Sequence, residues 1–141
     1  MPKAVTLALA AAATLVLAAP AGALTPPDIL RGYEASARQA SPAFAGFSAA
    51  RGRALFEATH GGEWSCASCH TQNPAQPGRH AKTGKTIAPL APAANAERFT
   101  STAQAEKWFK RNCNDVLGRE CTVQEKGDVL SYLIAVSGGA R

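Results

Sequence analysis

Apolar side chains recur along this chain at helical spacing, and nowhere do β-branched residues alternate with polar ones as a strand requires. Thr25 opens the first predicted helix as N-cap, with Pro26 and Pro27 in its first turn and Asp28 three residues on. Its apolar face is Ile29, Leu30, Tyr33 and Ala37. After a loop around Ser41-Pro42, Ser48 caps a second helix over 49–59 that carries Ala54, Leu55 and Phe56 and stops at Gly61-Gly62. Ser101 and Gln104 read as a capping box for a helix over 102–112. Thr122 and Glu125 repeat that signature for a final helix over 123–136, with a core-facing stripe of Val129, Leu130, Leu133, Ile134 and Val136. Gly138-Gly139 end it. The pattern predicts an all-α domain with one long irregular stretch, 71–99, punctuated by Asn73-Pro74, Gln76-Pro77-Gly78, Gly84, Pro89 and Pro92.

The first two dozen residues follow another logic. Lys3 precedes an uncharged apolar run over 4–19, and Pro20-Ala21-Gly22-Ala23 supplies a small-residue cleavage site. That order reads as a secretory signal peptide cut after Ala23. A membrane anchor needs about 20 apolar residues to cross the hydrocarbon core, and this run is shorter and ends in proline. Removing Lys3 takes the formal charge from +5 to +4, and the same cut removes the chain's single methionine, Met1. Among 141 residues there is room for one domain, and the composition excludes a multi-span membrane protein, a collagen-like repeat and a two-domain enzyme. No nucleic-acid motif is present. Only 6% of residues are aromatic, thin for a core of this size, so something besides side chains fills the interior.

The four cysteines are not equivalent. Cys66-Ala67-Ser68-Cys69-His70 is C-x-x-C-H, whereas Cys113 and Cys121 stand alone downstream. Two thiols on one helical turn reach the two vinyl groups of a haem edge, and the adjacent histidine serves as proximal iron ligand. A thioredoxin-type motif would need a βαβ context, and a zinc site would need a second ligand pair at proper spacing. Neither is present. The motif predicts one covalent haem c, held by Cys66 and Cys69, with His70 on the iron. The irregular 71–99 segment then has a use, which is to wrap a flat cofactor.

Helix, C-x-x-C-H, wrapping loop and apolar C-terminal helix resemble a class I cytochrome c over 48–137. With the signal peptide at 1–23, the chain is expected to divide into that leader, an N-terminal helical extension at 24–47 and a cytochrome domain at 48–141. Ordinary members bind iron through histidine and methionine, but the mature chain has no methionine. The sixth ligand is then His60, His80, a lysine, an asparagine, a cysteine, or none. His60 lies six residues before Cys66 and is poorly placed for the far haem face. His80 sits among basic loop residues. On a helix, Ala105, Trp108, Phe109 and Asn112 share one face, which makes Asn112 an amide continuing an apolar stripe. A helix-end cap is its alternative role. Asn114 falls off that face.

Thr86-Ile87-Ala88-Pro89-Leu90-Ala91-Pro92, Lys107-Trp108, Arg111-Asn112-Cys113-Asn114 and Gly118-Arg119-Glu120-Cys121-Thr122 resemble the sphaeroides haem protein family, small oxygen-binding c-type cytochromes. The resemblance implies axial ligands His70 and Asn112 and a disulfide Cys113–Cys121. It also implies electron delivery by a dihaem cytochrome c, beside a membrane cytochrome b. A carboxamide oxygen is a hard, neutral ligand that suits ferric iron and holds the softer ferrous ion poorly. Reduction should therefore open a site for O₂, NO or CO. The expected protein is a periplasmic electron carrier and diatomic-ligand binder rather than an enzyme, with no stable membrane anchor. The rivals are a permanently six-coordinate bis-histidine carrier using His80, and a small reductase or peroxidase, which would want a distal acid–base residue. Arg79, Lys82, Lys85, Lys107, Lys110 and Arg111 form a cationic set suited to an acidic redox partner.

Overall fold

The helix starts follow from side chains that satisfy the first free backbone N–H groups. In a computed structural model, which describes residues 22–136, α1 (Pro26–Ala40) begins with the Thr25/Asp28 capping box and α5 (Val123–Ala135) with the Thr122/Glu125 box. Between them lie α2 (Ala49–Glu57), α3 (Cys66–His70), two short strands, and α4 (Thr102–Leu117). Residues 1–21 of the expected signal peptide, and the Gly138-Gly139 stop, lie outside the described residues.

Four expectations are corrected. Helix α2 ends at Glu57 rather than 59, because the chain turns out through Ala58 and His60, whose φ is 55°. Helix α4 runs to Leu117 rather than 112, and its stop is Gly118 in the left-handed region at φ 67°, the position where a side chain would be strained. At its start only half of the expected box forms: Ser101 Oγ accepts from the Gln104 N–H. The chain also contains strands. β1 (Gly78–Arg79) pairs antiparallel with β2 (Thr86–Ile87), Gly78 opposite Ile87. Strands of two residues carry no alternation to read. The molecule is nonetheless helical almost throughout.

Helix α5 is the axis of the core. Its Leu130 packs with Ile29 and Tyr33 of α1 and Ala105 of α4, while Val129, Tyr132 and Leu133 surround Phe56 of α2. Burying each large apolar side chain contributes roughly 1.5–3 kcal/mol. The α2–α5 crossing is close because Gly52 has no side chain, and a Cβ there would run into the Asp128 carbonyl. Asp128, buried, pins this crossing by accepting from the Ser48 N–H (2.6 Å), Arg51 Nε (2.8 Å) and Nη2 (2.9 Å), and Gln124 Nε2 (3.1 Å). Among the described residues no helix is long and apolar enough to cross a membrane.

Candidate haem site

Helix α3 is a little over one turn, too short to persist unaided. Its start is fixed by a reciprocal cap. The Ser68 N–H donates to Ser65 Oγ (3.2 Å), and the Ser65 N–H donates to Ser68 Oγ (3.0 Å). Its end is fixed by Thr71, whose positive φ of 62° breaks the helix directly after His70. Held this way, Cys66 and Cys69 stand three residues apart on one face, with His70 following. Neither thiol is in a disulfide. Burial pushes the Cys66 thiol up to about 11.

The β1–β2 hairpin lies on this turn. Gly78 passes so near the Cys69 carbonyl that a Cβ would collide with it, and the Ala81 N–H donates to Cys69 Sγ (3.3 Å). The wrapping segment is anchored rather than slack. The Leu90 and Ala91 N–H groups both donate to the Pro74 carbonyl, at 2.8 and 2.9 Å. Arg98 ties the same segment from the other side, with Nε on the Pro89 carbonyl (2.9 Å) and Nη2 on that of Ala88 (2.8 Å). Burial, with the Arg98 charge second, pushes the His70 imidazole down to about 4, so it stays neutral at physiological pH. A neutral imidazole is the form that ligates a metal. The Phe56 ring lies 6.5 Å from it.

The other histidines have local partners. His60 is exposed, and its Nε2–H donates to the Leu55 carbonyl at 2.9 Å, capping the end of α2. His80 Nδ1 accepts from the Lys82 and Thr83 N–H groups, both at 3.3 Å, inside the hairpin turn. On α4, Ala105 is buried and Phe109 and Asn112 are half-buried, as the predicted stripe requires. Trp108 departs from it. It is 41% exposed, with Lys107 and Arg111 against its ring at 6.0 and 5.7 Å. Asn114 is exposed and donates to the Lys110 carbonyl at 2.7 Å. Cys113 and Cys121, both buried, lie at disulfide distance with Cα atoms 5.6 Å apart.

Arg98 and the Ser65/Ser68 cap are absent from the sequence reading, and Gly78 enters it only as loop punctuation. The S-x-x-S spacing ahead of the cysteines was a readable cap, whereas nothing local marks Arg98 as a neighbour of His70. Two unpaired thiols on one turn beside a half-buried, uncharged imidazole fit a covalent haem. This arrangement on a helical fold defines a monohaem c-type cytochrome.

Known proteins agree. The family described as a domain of unknown function (DUF1924) matches residues 42–133. Cytochrome c-type protein SHP of Cereibacter sphaeroides is 48% identical over 126 residues, 85% of this chain and 92% of that protein. Cytochrome c'' of Methylophilus methylotrophus is 47% identical over 79 residues, 56% of this chain and 55% of that protein. The structure of oxidised SHP, described as an oxygen-binding cytochrome c, superposes with a TM-score of 0.71 at 46% identity, covering 81% of this chain and 99% of that one. Oxidised cytochrome c'' gives 0.70 at 37% identity, covering 79% and 94%. The chain belongs to the SHP family of c-type cytochromes and carries one covalently attached haem c.

Proposed function

We propose that this protein is a periplasmic electron carrier whose distal iron ligand, Asn112, lets go on reduction and admits O₂, NO or CO. In this reading residues 1–23 are the export signal, 24–47 a helical extension and 48–141 the cytochrome domain. Cys66 and Cys69 hold the haem by thioethers, His70 is the proximal ligand, and Cys113–Cys121 is a disulfide. When bound, the haem would supply an iron that exchanges one electron and is held by side chains of this chain. The chain's own residues decide what that iron meets. His70 is kept neutral by burial, so its lone pair is available without loss of a proton. Asn112 offers a neutral carboxamide oxygen, which favours the ferric over the ferrous ion. The reductant is a periplasmic redox partner, a dihaem cytochrome c working beside a membrane cytochrome b.

One observation carries the reading. Asn112 is the half-buried amide that continues the Ala105–Phe109 face directly before Cys113, while His60 and His80 each bond their local backbone. Two relatives support a labile ligand: SHP is described as oxygen-binding, and the solution structure of cytochrome c'' bears on haem-ligand detachment. The test is a set of visible spectra. Asn112→Ala should convert the ferric protein toward a water-bound or five-coordinate spectrum, and Asn114→Ala should leave it nearly unchanged. The ferrous wild type should be high-spin and shift on adding CO. If His80→Ala changes the ferric spectrum and Asn112→Ala does not, the ligand is His80 and this reading fails.

A further inference from the structure

Helix α4, which bears Asn112, is attached to the rest of the fold differently from its neighbours. The close helix-on-helix contacts are α2 and α1 against α5; α4 stands further off at the backbone and is joined by side chains. Two of those joints reach the α5 end of the molecule from one face of α4. Cys113 meets Cys121 just ahead of α5, and two turns earlier Glu106 Oε2 accepts from Lys126 Nζ of α5 at 2.6 Å. Lys126 is a sheltered cation, its side chain 15% exposed against 43% for Glu106, so this pair is screened somewhat less than a fully exposed one. Facing the same carboxylate is the buried Tyr33 hydroxyl of α1. Beyond them the exposed pair Lys110–Glu120 (2.9 Å) adds only a solvent-screened contact.

One attachment leaves a helix free to roll and tilt about it, whereas two on one face leave only a hinge about the line joining them, which the packing of Ala105 and Phe109 against the core limits from the neighbouring face. Roll is the motion that swings a side chain such as Asn112 off its target. From this we infer that the Glu106–Lys126 pair is a positioning device: it holds α4 in the orientation that keeps Asn112 on the ferric iron, and so sets how readily an outside ligand displaces it. The inference rests on the Asn112 reading above and extends it to residues that touch neither iron nor ligand. An outside ligand binds only the fraction of molecules with Asn112 off, so its apparent affinity reports that fraction directly.

Azide titration of the ferric holoprotein measures it. Glu106→Gln and Lys126→Gln should each raise the apparent azide affinity roughly two- to tenfold, the scale of a partly sheltered ion pair. Glu106→Asp, which keeps the charge and shortens the reach, should give a smaller rise. The charge swap, Glu106→Lys with Lys126→Glu, should return the affinity to within about twofold of wild type, and Glu120→Gln should leave it there. If Asn112→Ala raises azide affinity while the Glu106 and Lys126 variants do not, the positioning role falls and the Asn112 ligand stands. If Asn112→Ala has no effect either, the ligand assignment fails and this inference with it. A folded swap variant that stays as reactive as the single variants also overturns it, because the effect would then be general loosening.

Discussion

Asp128 shows at the residue scale how one buried charge is made tolerable. Its two oxygens accept from Ser48, Arg51 and Gln124, drawn from both helices of the closest crossing in the fold. Removing the acceptor strands several donors at once. Asp128→Ala should cost about 2–4 kcal/mol, measured by urea unfolding of the holoprotein, and Arg51→Ala should cost less because that side chain is 56% exposed. An Asp128→Ala midpoint equal to wild type would mean the network is idle. In the sequence Asp128 directly precedes the apolar stripe of α5, and nothing local marks its partners. Its four donors come from positions 77 and 80 residues upstream or from one turn of helix, a convergence that only folding produces.

At the element scale the helices are fixed at their ends. Glu125 closes the α5 capping box while Arg119 grips it bidentately, at 2.7 and 2.8 Å. Arg119 above all, then the Thr122 N–H, outweigh burial and hold the Glu125 carboxyl down to about 2. A depressed carboxylate pKa means that the stabilisation is complete above the unfolded value and is lost as pH falls toward the folded one. It should therefore fade between about pH 4.5 and 2. Wild-type stability should drop through that window, and Glu125→Gln should remove part of the drop, read from urea midpoints taken at successive pH values. Identical slopes for both proteins would refute this. The cap at Thr122/Glu125 was legible because it is local in sequence. The end of α4 is less legible: the apolar stripe that predicts the helix has its last member at Asn112, while the stop, Gly118, lies beyond Cys113.

At the scale of the whole molecule, the cationic set divides. Lys110 is paired with Glu120, and Lys107 and Arg111 flank Trp108. Arg79, Lys82 and Lys85 project from the hairpin lying on Cys69, and Lys82 rests over the Trp64 ring at 4.6 Å. Among the described residues none of these three forms an ion pair with a carboxylate. An acidic redox partner should approach this face, and its second-order electron-transfer rate should fall as ionic strength rises past about 0.1 M. Charge reversal at Lys82 and Lys85 should flatten the salt dependence. A wild-type rate indifferent to salt would argue that these charges serve solubility alone.

The sequence by itself determined the helical class, the caps at Thr25, Ser48 and Thr122, the apolar stripe of α5 and the C-x-x-C-H chemistry. Each depends on residues within a turn or two of one another, where spacing and geometry are nearly the same thing. The tertiary structure decided that Trp108 lies between Lys107 and Arg111, that Arg98 stands beside His70, and that a hairpin of two-residue strands lies on Cys69. It also decided that Glu106 meets Lys126. All but the first join segments whose separation along the chain is set by loop closure and core packing, and neither force writes a periodic signal into the residues that finally touch.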